Sequence, residues 1–310
     1  MRHWPVAVAI VAGLLPFASP SQYLVNLAML TAISALIGQS WNLAGGFGGL
    51  TSFGHTVFFG LGTYAAAILQ TRFGWNPWLA LPLSILLGGA AGAVIGIAAF
   101  RAGLRGSYFA LVTLAVAEAC RILANSLDIT KGGLGILIPL KPGLDHFQFQ
   151  DRRAMYAVAL ALLTAAMLLT AWIARTRFGA RLIAVRENED AAAALGIDLV
   201  RTKVLVLALS GAMAAPAGVV YAQSYLYIDP SIAFGTDRSL EMLLVAMIGG
   251  VGTLWGPVLG AVALHAIDDS ARTLLNTPGF ASMVYGIVLL LIVAVLPNGI
   301  ASLRLRFRRG

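Results

Sequence analysis

Apolar residues dominate this chain in long blocks, and polar residues punctuate it. With soft ends, the blocks are 5–17, 23–44, 50–69, 78–100, 107–123, 155–173, 204–225, 240–250, 257–267 and 283–296. A helix needs roughly 20 apolar residues to cross a bilayer, fewer when interfacial residues help. The pattern therefore predicts an all-α polytopic membrane protein of about ten transmembrane helices. The blocks 240–250 and 257–267 are each too short to span alone. They form either one broken element or two tilted helices meeting at a glycine turn. No alternation of strand period recurs often enough for a barrel.

Composition strengthens this picture. Only 11% of the 310 residues are charged and 59% are hydrophobic, whereas a soluble domain carries about 25% charge. The net charge of +8 lies between apolar blocks, where it sets topology rather than recruiting nucleic acid. Cys120 is the single cysteine, so no intrachain disulfide is possible, and its apolar setting suits packing. Met1-Arg2-His3, an apolar run to Pro16 and then Ala18-Ser19-Pro20 has the outline of a signal peptide. A first transmembrane helix is the preferred reading.

Ten passes starting inside place Arg101, Arg105, Arg175, Arg177, Arg181, Arg186, Arg201, Lys203 and the tail Arg304–Arg309 on the cytoplasmic side. The opposite side receives a smaller set that includes Arg72, Lys131, Arg152, Arg153 and Arg238. This asymmetry places both termini in the cytoplasm. The basic tail reads as an anchor that contacts anionic lipid. The chain is read as one transmembrane domain, 1–310, with a cytoplasmic loop at 175–203 and an outer loop at 125–153. The outer loop is long enough to fold partly over the outer mouth, either as a connector or as a docking surface.

Two glycine clusters echo each other. Gly45-Gly46-Phe47-Gly48-Gly49-Leu50 and Gly249-Gly250-Val251-Gly252-Thr253-Leu254 both read Gly-Gly-x-Gly-x-Leu. Each follows an apolar helix, on the same side, so the chain has two related halves in parallel. Glycine-interrupted segments at matching places point to a transport pathway, with Gly45, Gly46, Gly48, Ser52, His55, Gly249, Gly250 and Gly252 as its candidates. The bland alternative is close helix packing.

Charge inside a bilayer costs roughly 2.5–3.5 kcal/mol per group, so each ionisable residue needs a partner or a use. Glu118 and Arg121 are three apart, share a helix face and form a structural ion pair. Glu241, Asp268 and Asp269 are expected near the outer interface. His55 and His265 are not spaced as metal ligands, and the expectation is no metal site. There is no nucleophile motif and no phosphate-cradling loop, so the chain is read as a non-enzyme that binds no cofactor itself.

The loop 175–203 is the exception to the apolar pattern. Asn188 can cap a short helix whose first turn holds Glu189 and Asp190. Ala191–Ala194 favour the helix, Leu195 can anchor one face, and Gly196 can end it. Two turns are too short to stand alone, so a partner surface is expected, with Arg186, Glu187 and Glu189 pairing charges at its rim.

Asp190-Ala191-Ala192-x-x-x-Gly196 resembles the Glu-Ala-Ala-x-x-x-Gly loop of ABC importer permeases, with Asp for Glu. The run Phe178–Ala192 closely resembles the LivM family of branched-chain amino-acid permeases, as do Gly49–His55, Arg105–Ala115, Thr130–Gly135 and Gly249–Pro257. Lys131 and Asp190 are small departures. The resemblance implies a permease subunit in a bacterial inner membrane, paired with a LivH-type second permease. It further implies two ATP-binding subunits of the LivG and LivF type, which carry ATP and Mg, and a periplasmic binding protein at the outer loop. In that scheme Arg186–Asp190, Ala191, Ala192, Leu195 and Gly196 couple to the ATP-binding subunits. The competing expectation is a proton-coupled secondary transporter of small polar solutes that uses Glu118.

Overall fold

The computed structural model describes residues 21–275, together with 13, 16, 17, 19, 283, 286, 287 and 299–301. The apolar blocks 5–17 and 283–296 and the basic tail lie almost wholly outside the described residues. The rest is nearly all helix. In chain order the helices are α1 (Gln22–Asn42), α2 (Thr56–Arg72), α3 (Ala80–Arg101), α4 (Gly106–Ser126), α5 (Arg152–Ala174), α6 (Arg177–Glu187), α7 (Glu189–Ala194), α8 (Leu199–Tyr225), α9 (Pro230–Phe234), α10 (Thr236–Gly249) and α11 (Gly256–Leu275). Among the described residues five segments, built on α1, α3, α4, α5 and α8, are long and apolar enough to cross a bilayer by length and composition.

The core forms where small residues let backbones meet. Ser84, Gly88, Gly92 and Gly96 are all buried on one stripe of α3. That stripe lies against α8: a methyl group at Gly88 would stand 2.2 Å from the Gly211 carbonyl oxygen, and one at Gly92 2.5 Å from that of Leu207. Such a stripe brings two helices close where lipid offers no hydrophobic drive. Helix α8 is the central post. It also packs on α2, where Phe59 meets Tyr221 edge-on with ring centroids 5.5 Å apart.

Two passes differ from the sequence pattern. The block 50–69 does not begin as a helix; residues 48–55 are irregular, and α2 starts at Thr56. The irregular backbone is satisfied internally, as non-helical chain at membrane depth must be. Trp41 Nε1 donates to the Ser52 carbonyl at 2.8 Å, Phe53 N donates to Thr113 Oγ1 at 3.1 Å, and Leu50 N donates to the Ala44 carbonyl at 2.9 Å. The block 240–250 and the block 257–267 are two helices, α10 and α11, in one hairpin. A methyl at Gly249 would fall 1.7 Å from the Gly256 oxygen, and one at Gly260 1.8 Å from that of Val245. Helix α10 is short because the small helix α9 and the break at Gly235 precede it.

The loop 125–153 packs back on the helices. Its strand β1 (Ile136–Leu137) pairs antiparallel with β2 (Tyr227–Ile228), just after α8. Trp78 stacks on Phe147 at 4.2 Å and donates to the Leu144 carbonyl at 2.6 Å.

Candidate functional site

The loop 175–203 contains two helices. Thr176 caps α6 by accepting from Gly179 N at 3.3 Å, and Leu182 and Val185 bury its inner face. Asn188 breaks the run in extended geometry (φ −158°), and its Oδ1 accepts from Ala191 N at 2.9 Å to start α7. Gly196 ends α7 with φ +80°, a conformation that costs a side-chain-bearing residue roughly 1–2 kcal/mol. Asp198 then caps α8.

The inner side of α7 is strapped to the body of the protein. Lys203 on α8 pairs with Glu189, and Arg105 Nε lies 3.1 Å from the second Glu189 oxygen. The Lys203 side chain is 6% exposed, and its ammonium sits 5.4 Å from the Phe100 ring centroid. A buried ammonium without its carboxylate costs about 3–5 kcal/mol. Arg105 also bonds Asp190 at 3.2 Å, but Asp190 is 86% exposed, so that contact contributes little. Glu189 is therefore held within the chain, contrary to the expectation that it lies at a partner's rim. The partners that claim it stand too far along the sequence to be seen locally. The outer side of α7 presents Asp190, Ala193, Ala194 and Leu195, and Leu195 is 80% exposed.

Arg186, at the end of α6, reaches inward. Its Nη1 donates to the Gly46 carbonyl at 2.9 Å, its Nη2 donates to Glu187 at 2.6 Å, and its stem crosses Gly49. Nη1 also lies 3.2 Å from where a methyl on Gly252 would sit. One guanidinium thus bonds the first glycine turn and lies beside the second. The turns in turn touch each other. Asn42 Nδ2 donates to the Thr253 carbonyl at 2.9 Å, and Gly252 N donates to Asn42 Oδ1 at 2.7 Å. A methyl at Gly46 would approach Gly252 N to 2.5 Å, so only glycine fits there. Gly45 packs against the Trp41 ring, Gly48 against Val206, and Gly250 (φ +121°) turns the α10–α11 hairpin.

The other candidates lie apart from this junction. Ser52 and His55 are buried within the chain; His55 Nε2 meets Ser210 Oγ at 2.6 Å, and Ser210 bonds Ser40. Glu118 and Arg121 form a two-point pair on α4, Nε to Oε2 at 2.9 Å and Nη2 to Oε1 at 2.5 Å. Helix α6 and the roles of Arg105, Lys203 and Asn42 are absent from the sequence reading. For α6 a signal existed: Thr176 as a cap, then Leu182 and Val185 three apart, flanked by Arg181 and Arg186. Among the described residues no group of three potential metal ligands occurs.

The profile of a transport family described as "Branched-chain amino acid transport system / permease component" matches residues 23–293. The chain is 29% identical to the high-affinity branched-chain amino acid transport system permease protein LivM of Escherichia coli, over 98% of this chain and 76% of that protein. It is 25% identical to the permease protein LivH of Salmonella typhimurium, over 90% and 94%. It is also 29% identical to the L-arabinose ABC transporter permease protein AraH of Azospirillum brasilense, over 67% and 61%. No solved structure matches it.

Proposed function

Because the chain belongs to the branched-chain amino acid transport system permease family, we propose that it is one of two homologous membrane subunits of an ATP-driven importer for branched-chain or related amino acids. The similarity to both LivM and LivH supports a second, related permease as its partner. In this reading ATP and Mg are held by two separate ATP-binding subunits, and a periplasmic binding protein delivers the cargo at the outer loop. The assembly sits in the bacterial inner membrane.

The observation that carries this reading is the division of α7 into two faces. The inner face is pinned through Glu189 to Lys203 and Arg105. The outer face offers Leu195, 80% exposed, beside small alanines. An exposed leucine on a short capped helix suits a groove on another protein. A push on that helix passes to α8 through Lys203 and, through the neighbouring Arg186, to both glycine turns. Nucleotide-driven movement of an ATP-binding subunit thereby reaches the membrane part without any nucleotide binding here.

Leu195→Asp tests the reading in the intact transporter. The variant is expected to insert at the normal level, to lose co-purification of the ATP-binding subunits, and to take up amino acid at least about tenfold more slowly, the effect of losing an anchoring residue. Normal uptake and normal assembly would reject α7 as the coupling element. Uptake sustained by a proton gradient without ATP, and abolished by Glu118→Gln, would favour the secondary-transporter reading instead.

A further inference from the structure

A second polar cluster lies deeper, where α1, α10 and α11 meet. Arg238 Nη1 donates to Glu241 Oε2 at 2.7 Å, and Glu241 Oε1 accepts from Ser34 on α1. Ser34 Oγ also lies 2.9 Å from His265 Nε2 on α11. The Arg238 guanidinium stands over two rings, 4.8 Å from the Tyr221 centroid and 5.6 Å from that of Phe59. The side chains of the pair are 25% and 17% exposed, so the pair is enclosed but reachable.

Depth and chain geometry single this cluster out. Ser34 lies eight residues before Asn42 on α1, and Glu241 eight before Gly249 on α10. Ser34 stands twelve and thirteen residues from the two ends of Gln22–Phe47, a segment long enough to cross a bilayer, so it lies at the middle of that segment, and Glu241 is bonded to it there. Arg238 and Glu241 occupy the first turns of α10, a short helix that follows α9 after the break at Gly235. Discontinuous helices at mid-depth are where transporters place cargo sites.

A structural role alone accounts poorly for the cluster. A buried ion pair is a weak source of stability, and well-packed apolar residues often serve as well or better. Here, two charges of opposite sign are kept side by side among aromatic rings.

We propose that Arg238 and Glu241 form a transient site for the zwitterionic head of the amino-acid cargo. The cargo carboxylate meets the Arg238 guanidinium, and its ammonium meets Glu241. The chemistry suits the cargo on three counts. Arg presents a fork of donors that matches a carboxylate. The pair and the zwitterion are each neutral overall, so the transfer moves no net charge into the site. When the cargo leaves, Arg238 and Glu241 rejoin each other, which keeps binding weak, as a passage site requires. This proposal rests on the amino-acid permease reading and assigns residues to it.

The test uses the whole transporter, both permeases with ATP-binding subunits and binding protein, in proteoliposomes. Glu241→Gln and Arg238→Gln are expected to cut L-leucine uptake by about tenfold or more, the loss of a charge-assisted bond, while ATP hydrolysis stimulated by the loaded binding protein persists. Uptake at the wild-type level in both variants overturns the proposal, as does a fall in uptake matched by an equal fall in ATP hydrolysis. If the variants fail to assemble, Ser34→Cys in a Cys120→Ala background is reacted with a small methanethiosulfonate reagent. L-leucine is expected to slow that reaction, whereas 3-methylbutylamine and 4-methylpentanoate, each lacking one charge, do not. Equal rates with and without leucine overturn the proposal. If the wild-type complex moves no amino acid with ATP, the permease reading itself fails, which separates the two.

Discussion

The two glycine turns share one pattern of residues and adopt two different structures. The first continues α1 as a π-helix, Leu43–Phe47, and then releases into the irregular stretch before α2. The second is the tight corner of a helical hairpin, with Gly250 at φ +121° and Gly252 at φ +74°. The leading glycine is confined by a side chain in the first turn and by backbone in the second. A methyl at Gly45 would meet the Trp41 ring at 2.6 Å, whereas one at Gly249 would meet the Gly256 carbonyl oxygen at 1.7 Å. The contrast shows why a repeated motif does not imply repeated mechanics. A side chain at Gly45 needs only the Trp41 ring to swing; one at Gly249 needs the hairpin to open.

The largest effect that would break this contrast is expected from valine at the two positions. Gly249→Val should leave no folded transporter to recover, a loss beyond about 4 kcal/mol, while Gly45→Val should yield a weakened but extractable protein. Size-exclusion profiles of the two variants check this, and equal profiles would erase the distinction. A smaller effect is expected where the turns join. Asn42→Ala removes both bonds to Thr253 and Gly252 and strands a buried donor and acceptor, a cost of about 2–4 kcal/mol. It should appear as a lowered unfolding temperature in detergent, and none of that loss should recur when Asn42→Ala is added to a variant in which the turns are already parted. The smallest is Arg186→Gln. Its bond to the Gly46 carbonyl is partly exposed, so about 1 kcal/mol of stability is expected to go. Transport per ATP hydrolysed should fall further than stability does. A proportionate fall in both would reduce Arg186 to a structural strap.

Much of the helix layout was legible because apolar blocks declare themselves in a chain so poor in charge. The small helix α7 was legible too, since Asn188, the alanines and Gly196 are local signals. What escaped had a common physical cause. Residues 48–55 lie at the start of an apolar block, yet only Leu50 and Phe53 there are apolar, between Gly48, Gly49 and Gly54 and the polar Thr51, Ser52 and His55. Helix α6 hides in a run of arginines because its apolar face is only one stripe wide. The partners of Glu189 escaped because Arg105 sits on another loop, and that of Glu241 because Ser34 sits on the first described helix. Local pattern carries no trace of which distant charge will be near.

The bond between Asn42 and the second glycine turn has a consequence for biogenesis. It joins residues 211 apart in the chain. At about 5–20 residues per second of synthesis, α1 waits roughly 10–40 s for the hairpin that completes it. Throughout that interval the amide of Asn42 is without its final partners in an apolar setting. The nascent first half is thus a client for any insertase or chaperone that can shelter a polar side chain in lipid, and a chain truncated before α10 would remain one.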